Sequence, residues 1–286
     1  MRKIFIFTLM LVTLLTLSAC GGGSGKFDAG KNISIVARED GSGTKTAFME
    51  IIGHKGKADP ANVIIQTGTA GVLAEVKGNP AAIAYESLGY VTDDVKMLKV
   101  EGVEATVANI KNGTYKISRP LSIIYQLPNI TDEINAAFFT FLQSGNAQRI
   151  ISEEGYVSLL DNSADYTING ALSGSIDVSG STSLQPLMIK LAAAFENLQP
   201  NIKINVSGGG SGTGYKNADE GVSEFGMISE EFNPEKAPSC TYYEVCKDGI
   251  AVIVNKANPL SSITMDQLNN IYDEEVTTAI KWNDIN

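Results

Sequence analysis

Ile33-Ser34-Ile35-Val36, followed by Arg38-Glu39-Asp40-Gly41-Ser42-Gly43-Thr44 and an amphipathic stretch from Thr46 to Ile52, reads as a strand, a glycine-hydroxyl turn and a helix in succession. The alternation extends along the whole chain. Predicted strands lie at Ile83-Ala84-Tyr85, Leu121 to Tyr125, Ile176-Asp177-Val178, Ile202 to Val206 and Ile250 to Val254, and predicted helices at Thr131 to Ser144, Leu184 to Leu198 and Thr264 to Tyr272. Thr131 ahead of Asp132 and Glu133, and Thr264 ahead of Asp266, are good helix starts, because a hydroxyl caps free N–H groups and acids favour the positive end of the helix dipole. Strands alternating with helices predict an α/β protein with largely parallel sheets. Residues 161–174 (DNSADYTINGALSG) are polar, rich in turn residues and without period, so they read as a linker or surface excursion between roughly equal parts.

Two later segments repeat the turn chemistry: Gly180-Ser181-Thr182-Ser183 and Gly208-Gly209-Gly210-Ser211-Gly212-Thr213-Gly214. Each stands between a predicted strand and a predicted helix. The first N–H groups of a helix lack intrahelical partners and carry the positive end of its dipole, so glycines that let the backbone close in and hydroxyls that add donors favour a small oxyanion. A nucleotide-binding P-loop is the rival for 41–46, but Lys45 follows Thr44 rather than Gly, no Gly stands five positions before Gly43, and in 209–216 Tyr215 intervenes.

Composition narrows the classes further. At 286 residues, 43% hydrophobic and 19% charged, the chain has the balance of a globular protein and not of a disordered or collagen-like one. Lys and Arg number 22 against 32 Asp and Glu, a net charge of −10 that argues against nucleic acid. Three Cys and one His cannot assemble the usual zinc cluster, and a serine triad would need His54, which reads as a solvent-facing charge just past a helix. No metal or other cofactor is expected.

Residues 1–19 have the layout of a secretory signal: Arg2 and Lys3, an apolar run from Ile4 to Leu17 shorter than the ~18–20 residues of a spanning helix, and a small-residue end. Leu17-Ser18-Ala19-Cys20 resembles a bacterial lipobox, whose Cys carries the lipid anchor, and residues 20–30 read as a flexible tether. Removing 1–19 leaves 20 basic against 32 acidic residues, a charge of −12. For an exported chain, Cys240 and Cys246 are open between a short-loop disulfide and two thiols held apart by strand geometry.

IVAREDGSGTKTAF (35–48), NPAAIAYESLGYV (79–91), GVEATVANIKNGTYKISRPL (102–121), VSGSTSLQPL (178–187), GGGSGTGYKNADEGVSEFGMIS (208–229) and KDGIAVIVNKANPLSSITMDQLNNIY (247–272) resemble the lipid-anchored phosphate-binding proteins of bacterial phosphate ABC importers. The likeness spans 31–160 and 175–286. In that family the GSTS and GSGTG segments precede the REDGSGT segment; here the order is reversed, as in a circular permutation, with a fragment of a tandem duplication as the alternative. The resemblance implies a two-lobed, type-II periplasmic-binding-protein fold, each lobe a mostly parallel sheet flanked by helices, with the ligand in the interlobe cleft. With crossovers near 115–120 and 246–250, one lobe is contiguous (118–247, including the linker) and the other split (31–117 plus 248–286).

By the same resemblance the chain is an extracytoplasmic, membrane-anchored, non-enzymatic protein that hands inorganic phosphate to an importer permease. A secreted phosphoester hydrolase and an anion-sensing surface lipoprotein are the alternatives. Arg38 supplies the full positive charge, with Asp40 two residues on holding it; Ser42, Gly43 and Thr44 donate from one half, and Thr182, Ser183 and Ser211 from the other. Ser229, with Glu230 beside it, falls where some members carry an aspartate that accepts the proton of hydrogen phosphate, which puts discrimination against sulfate in question. Tyr242-Tyr243 and Phe138-Phe139 read as packing residues, and Trp282 as a core or sheet-edge aromatic.

Overall fold

A computed structural model describes residues 25–168, 170, 172–276 and 278–285. The signal segment and Cys20 lie outside them. One group of elements comprises β1 (Ser34–Arg38), α1 (Gly43–Ile51), β2 (Ile64–Gln66), α2 (Gly68–Gly78), β3 (Ala82–Ser87), the short β4 (Lys96–Met97) and β5 (Lys99–Val100), and α3 (Val107–Lys111). A second comprises β6 (Ser118–Gln126), α4 (Glu133–Leu142), α5 (Gly145–Glu153), β7 (Gly174–Gly180), α6 (Gln185–Leu198), β8 (Ile202–Gly208), α7 (Ser211–Asp219) and β9 (Phe225–Ile228). The chain then returns through β10 (Cys240–Val254), β11 (Ser262–Ile263) and α8 (Met265–Ile271).

A continuous sheet runs in the order β2-β1-β3-β10-β6-β9-β7-β8. Its outer strands pair in parallel, β2-β1-β3 at one end and β8-β7-β9 at the other. The inner strands are antiparallel: β10 pairs β6 over Cys240–Gly249 and β3 over Ile250–Val254, and β6 pairs β9. The 15-residue β10 therefore belongs to both halves of the sheet. Each half has its own apolar core. One packs Phe48 flat on Tyr85, ring centroids 3.9 Å apart, with Tyr272 edge-on. The other gathers Phe138, Phe141, Phe195 and Phe225 between β6, β7 and the helices α4 to α6.

Local chemistry sets the helix bounds. Thr264 caps α8 in a reciprocal box with Gln267. The cap of α4 is Asp132, not Thr131: its carboxylate accepts from the N–H groups of Ile134 and Asn135, while the Thr131 hydroxyl donates to the Pro128 carbonyl. α4 ends at Leu142, near the expected bound, and Ser144 caps a further helix, α5, that was not expected. The linker is ordered where described: the Gly145 N–H donates to the Ala164 carbonyl, and Tyr166 packs edge-on against Phe141 and Phe195.

Several side chains differ from expectation. His54 is buried, with Nε2 2.7 Å from the Asn269 carbonyl, because Gly53 at φ +93° turns the chain back beneath α8. Cys240 and Cys246 are free thiols, held apart along extended β10. Tyr242 is 46% exposed, stacked on Phe232 at the sheet surface. Within the expected tether 20–30, residues 27–30 are in contact with the fold: Phe27 packs edge-on against Trp282 and the Ala29 carbonyl accepts from the Asn283 N–H.

Residues 29–33 thus pair with residues 280–283. Asn32 bridges Lys281, the Ile33 N–H donates to the Ile280 carbonyl at 2.8 Å, and buried Trp282 donates through its indole to the Ala81 carbonyl at 3.1 Å. The segment near the C-terminus completes the core beneath β1. Trp282→Ala is expected to lower the unfolding free energy by about 3–5 kcal/mol in urea denaturation followed by circular dichroism; a loss under about 1 kcal/mol would show that this pairing contributes little to the fold.

Candidate functional site

Three strands end in one place. β1 delivers Arg38 and turns through Gly41, at φ +82°, into α1; β7 delivers Ser181 to Ser183 into α6; β8 runs through Gly209 and Gly210 into α7. β9 brings Ser229 to the same point. A crevice at the carboxyl ends of such strands is where open α/β sheets hold ligands. The Ser181 hydroxyl accepts from the N–H groups of Ser183 and Leu184, which leaves the hydroxyls of Thr182 and Ser183 free to face the cleft.

The predicted donors form one set of contacts across that cleft. Arg38 Nη2 donates to Thr182 Oγ1 at 2.9 Å, and the hydroxyls of Thr44 and Ser183 lie 2.9 Å apart. The Gly212 N–H donates to the Gly41 carbonyl at 2.9 Å. A Cβ on Gly43 would fall against the hydroxyl oxygens of Ser211 and Ser229, so glycine is what lets the two sides meet. The Ser229 N–H donates to Ser211 Oγ at 3.0 Å, and the two hydroxyls are 3.3 Å apart. Arg38, Ser42, Thr44, Ser183, Ser211 and Ser229 are all buried. Glu230, also buried, is taken by Lys236 at 2.7 Å.

Asp40 does not hold Arg38. It is 98% exposed and pairs with Lys45 at 2.7 Å, because the turn at Gly41 points it outward. Glu39 takes the role through a two-pronged bond, Arg38 Nε to Oε2 at 2.9 Å and Nη2 to Oε1 at 3.0 Å. The same carboxylate accepts the Gly68 N–H at 3.1 Å, supplying the N-terminus of α2 with the cap that Thr67 does not provide. Nη1 of Arg38 has looser partners, Thr69 at 3.4 Å and the buried Glu86 at 3.5 Å. Burial works against the charged guanidinium, but the Glu39 hydrogen bond and the charges of Glu86 and Glu39 outweigh it and stabilise the cation. Burial likewise opposes ionisation of Glu39, and Arg38 more than offsets it, holding that carboxyl below its ordinary range.

Behind the cleft lies a second buried arginine. Arg119 on β6 pairs with Asp248 on β10 at 3.2 Å and donates to the Ser229 carbonyl at 3.0 Å, fixing the end of β9. Nothing in the local pattern of KISRPL or KDGIAV marks these two as a pair; only their register across the antiparallel strands brings them together. Cavities of about 510 and 790 Å³ flank α5 and α4 along the linker, and another of about 510 Å³ opens beside the site turns, lined by Gly41, Thr46, Gly212 and Tyr215. Among the described residues no cluster of His, Cys, Asp and Glu could hold a metal, and no helix is long and apolar enough to cross a membrane.

Two half-sites that meet across a cleft between sheet halves define a solute-binding protein, and the PBP superfamily domain matches residues 24–146 and 167–285. The chain belongs to that superfamily and, within it, to the family of the streptococcal proteins named phosphate-binding protein PstS 2: it is 35% identical to the Streptococcus pneumoniae protein over 271 residues, 92% of each chain, and 32% identical to that of Streptococcus agalactiae over 298 residues, 100% of this chain and 99% of the relative. The crystal structure of a phosphate ABC transporter phosphate-binding protein from Streptococcus pneumoniae superposes with a TM-score of 0.71 at 34% identity, covering 90% of this chain and all of that one.

The two candidate acids separate in a stability measurement. Glu39→Gln is expected to cost about 1–2 kcal/mol near neutral pH, discounted for its partial exposure, and Asp40→Asn less than about 0.5 kcal/mol. Because the folded-state pKa of Glu39 is depressed, its contribution is full above the ordinary carboxylate pKa and is lost as pH falls below about 4. Equal costs for the two variants in urea titrations at both pH values would contradict the pairing.

Proposed function

We propose that the chain captures inorganic phosphate in the cleft between its lobes and passes it to the permease of an ABC importer, without chemical turnover. The observation that carries this reading is the buried guanidinium of Arg38, held by Glu39 and Glu86 and reaching from one sheet half to Thr182 of the other, where the hydroxyls of Thr44, Ser183, Ser211 and Ser229 gather. Such a site recognises an oxyanion through directed donors in a dry environment, which lets one full positive charge suffice in a chain of net charge −10. The names of the streptococcal relatives support phosphate as that oxyanion. Ligand contacts are assigned to Arg38, Ser42, Gly43, Thr44, Thr182, Ser183, Ser211 and Ser229, with Glu39 in the supporting place first given to Asp40.

The two cores support lobes of 31–117 plus 248–286 and of 118–247. A circularly permuted order is supported by the pairing of 29–33 with 280–283, which brings the two ends of the fold together. An extracytoplasmic location is supported by the signal layout of residues 1–19, and lipidation at Cys20 by the lipobox-like Leu17-Ser18-Ala19-Cys20.

Titration calorimetry of the lipid-free protein tests the assignment. One phosphate per chain is expected, with Arg38→Ala weaker by about 2–5 kcal/mol and Arg38→Lys only partly recovered, since an ammonium cannot present a planar fork. Ser229→Asp should selectively weaken sulfate, which brings no proton to share with the new carboxylate. Unchanged phosphate affinity in Arg38→Ala would refute the site, and turnover of p-nitrophenyl phosphate would refute the non-enzymatic reading.

A further inference from the structure

Glu86 is a fully buried carboxylate that the anion site, as assigned, does not use. It sits on β3 with Oε2 3.5 Å from Arg38 Nη1, and Oε1 accepts the Ser87 N–H at 2.9 Å. Among the described residues no other donor reaches it. The charged and titratable groups that face it are Arg38 from β1, Arg119 from β6, Asp248 from β10 and Tyr85 beside it on β3, with Tyr156 against Ser87 and Asp248. Arg119 is committed to Asp248 at 3.2 Å, so the cation paired with Glu86 is Arg38.

An oxyanion in the cleft would draw on the same charge. The Nη1 of Arg38 is its least committed nitrogen, with both partners at 3.4 Å or more, and an anion docking on it brings a second negative charge close to a carboxylate that no water screens. We propose that Glu86 is the proton-exchanging residue of this site: ionised beside Arg38 while no anion is docked, it takes up one proton from the medium when an oxyanion binds, and so couples anion capture to pH. The proposal rests on the anion-capture reading above. Burial already raises the Glu86 carboxyl, with Arg38 the chief opposing charge, and an anion on Arg38 pushes it further the same way. By linkage, affinity is full below the anion-free pKa of Glu86 and falls as pH rises between its anion-free and anion-bound values.

Infrared difference spectroscopy of the parent protein with saturating inorganic phosphate, at about pH 7.5, reads this directly. Phosphate should bring up the carbonyl-stretch band of a buried protonated carboxylic acid, a band absent in Glu86→Gln and retained in Asp248→Asn. In calorimetry, Glu86→Gln, which mimics the protonated form, should match the parent near pH 5.5 and bind phosphate roughly tenfold tighter near pH 8.5. Phosphate binding without a new band, a band that survives in Glu86→Gln, or parallel affinity curves over that pH range would each overturn the assignment while leaving anion capture intact. A parent that binds no phosphate at any pH would overturn anion capture itself, and this proposal with it.

Discussion

The buried guanidinium of Arg38 is the constraint around which the rest of the molecule is arranged. Removing an arginine from water is costly unless its charge is paired and its N–H groups are directed at acceptors. Here Glu39 fixes one edge, Glu86 and Thr69 take the remote nitrogen, and Thr182 reaches in from the other sheet half. The arginine can be satisfied in this way only if both halves of the chain converge on it. Its orientation and the closeness of the cleft are therefore one property.

That convergence is built into the sheet. β6 and β10 pair antiparallel between the two cores, and β10 continues from one half of the sheet into the other, so motion of one half relative to the other must be absorbed along these strands. The Arg119–Asp248 pair lies on them and holds the Ser229 carbonyl, which ties the far wall of the cleft to the crossing point. The strand bearing Arg38 is secured from below by Trp282 and the pairing of 29–33 with 280–283. Residues 29–33 and 280–283 meet beneath β1, so one chain supplies the whole arrangement.

Much of this was legible in the sequence where the signal was local. A β-branched run, a glycine turn and a helical period specify a strand-to-helix junction within a dozen residues, so the turns at 41–44, 180–183 and 208–214 and their hydroxyls were found together. What depended on tertiary direction was not. Spacing favoured Asp40, but the left-handed Gly41 turns it to solvent and gives the arginine to the longer Glu39. Glu86 follows the apolar and aromatic run of β3 and stands just before its last residue, Ser87, with nothing nearby in sequence to mark a buried acid, and His54 reads as a surface charge until the turn at Gly53 tucks it under α8. Helix α2 was missed because its glycines and short apolar residues show little amphipathic contrast.

The central claim is that one anion is held by both lobes at once, and a crystal structure of the lipid-free protein grown with inorganic phosphate tests it most directly. A phosphate contacting Arg38 and the 42–44 turn on one side and Thr182, Ser183 and Ser211 on the other is the expected result. A phosphate bound by one lobe alone, or seated away from Arg38, would contradict it.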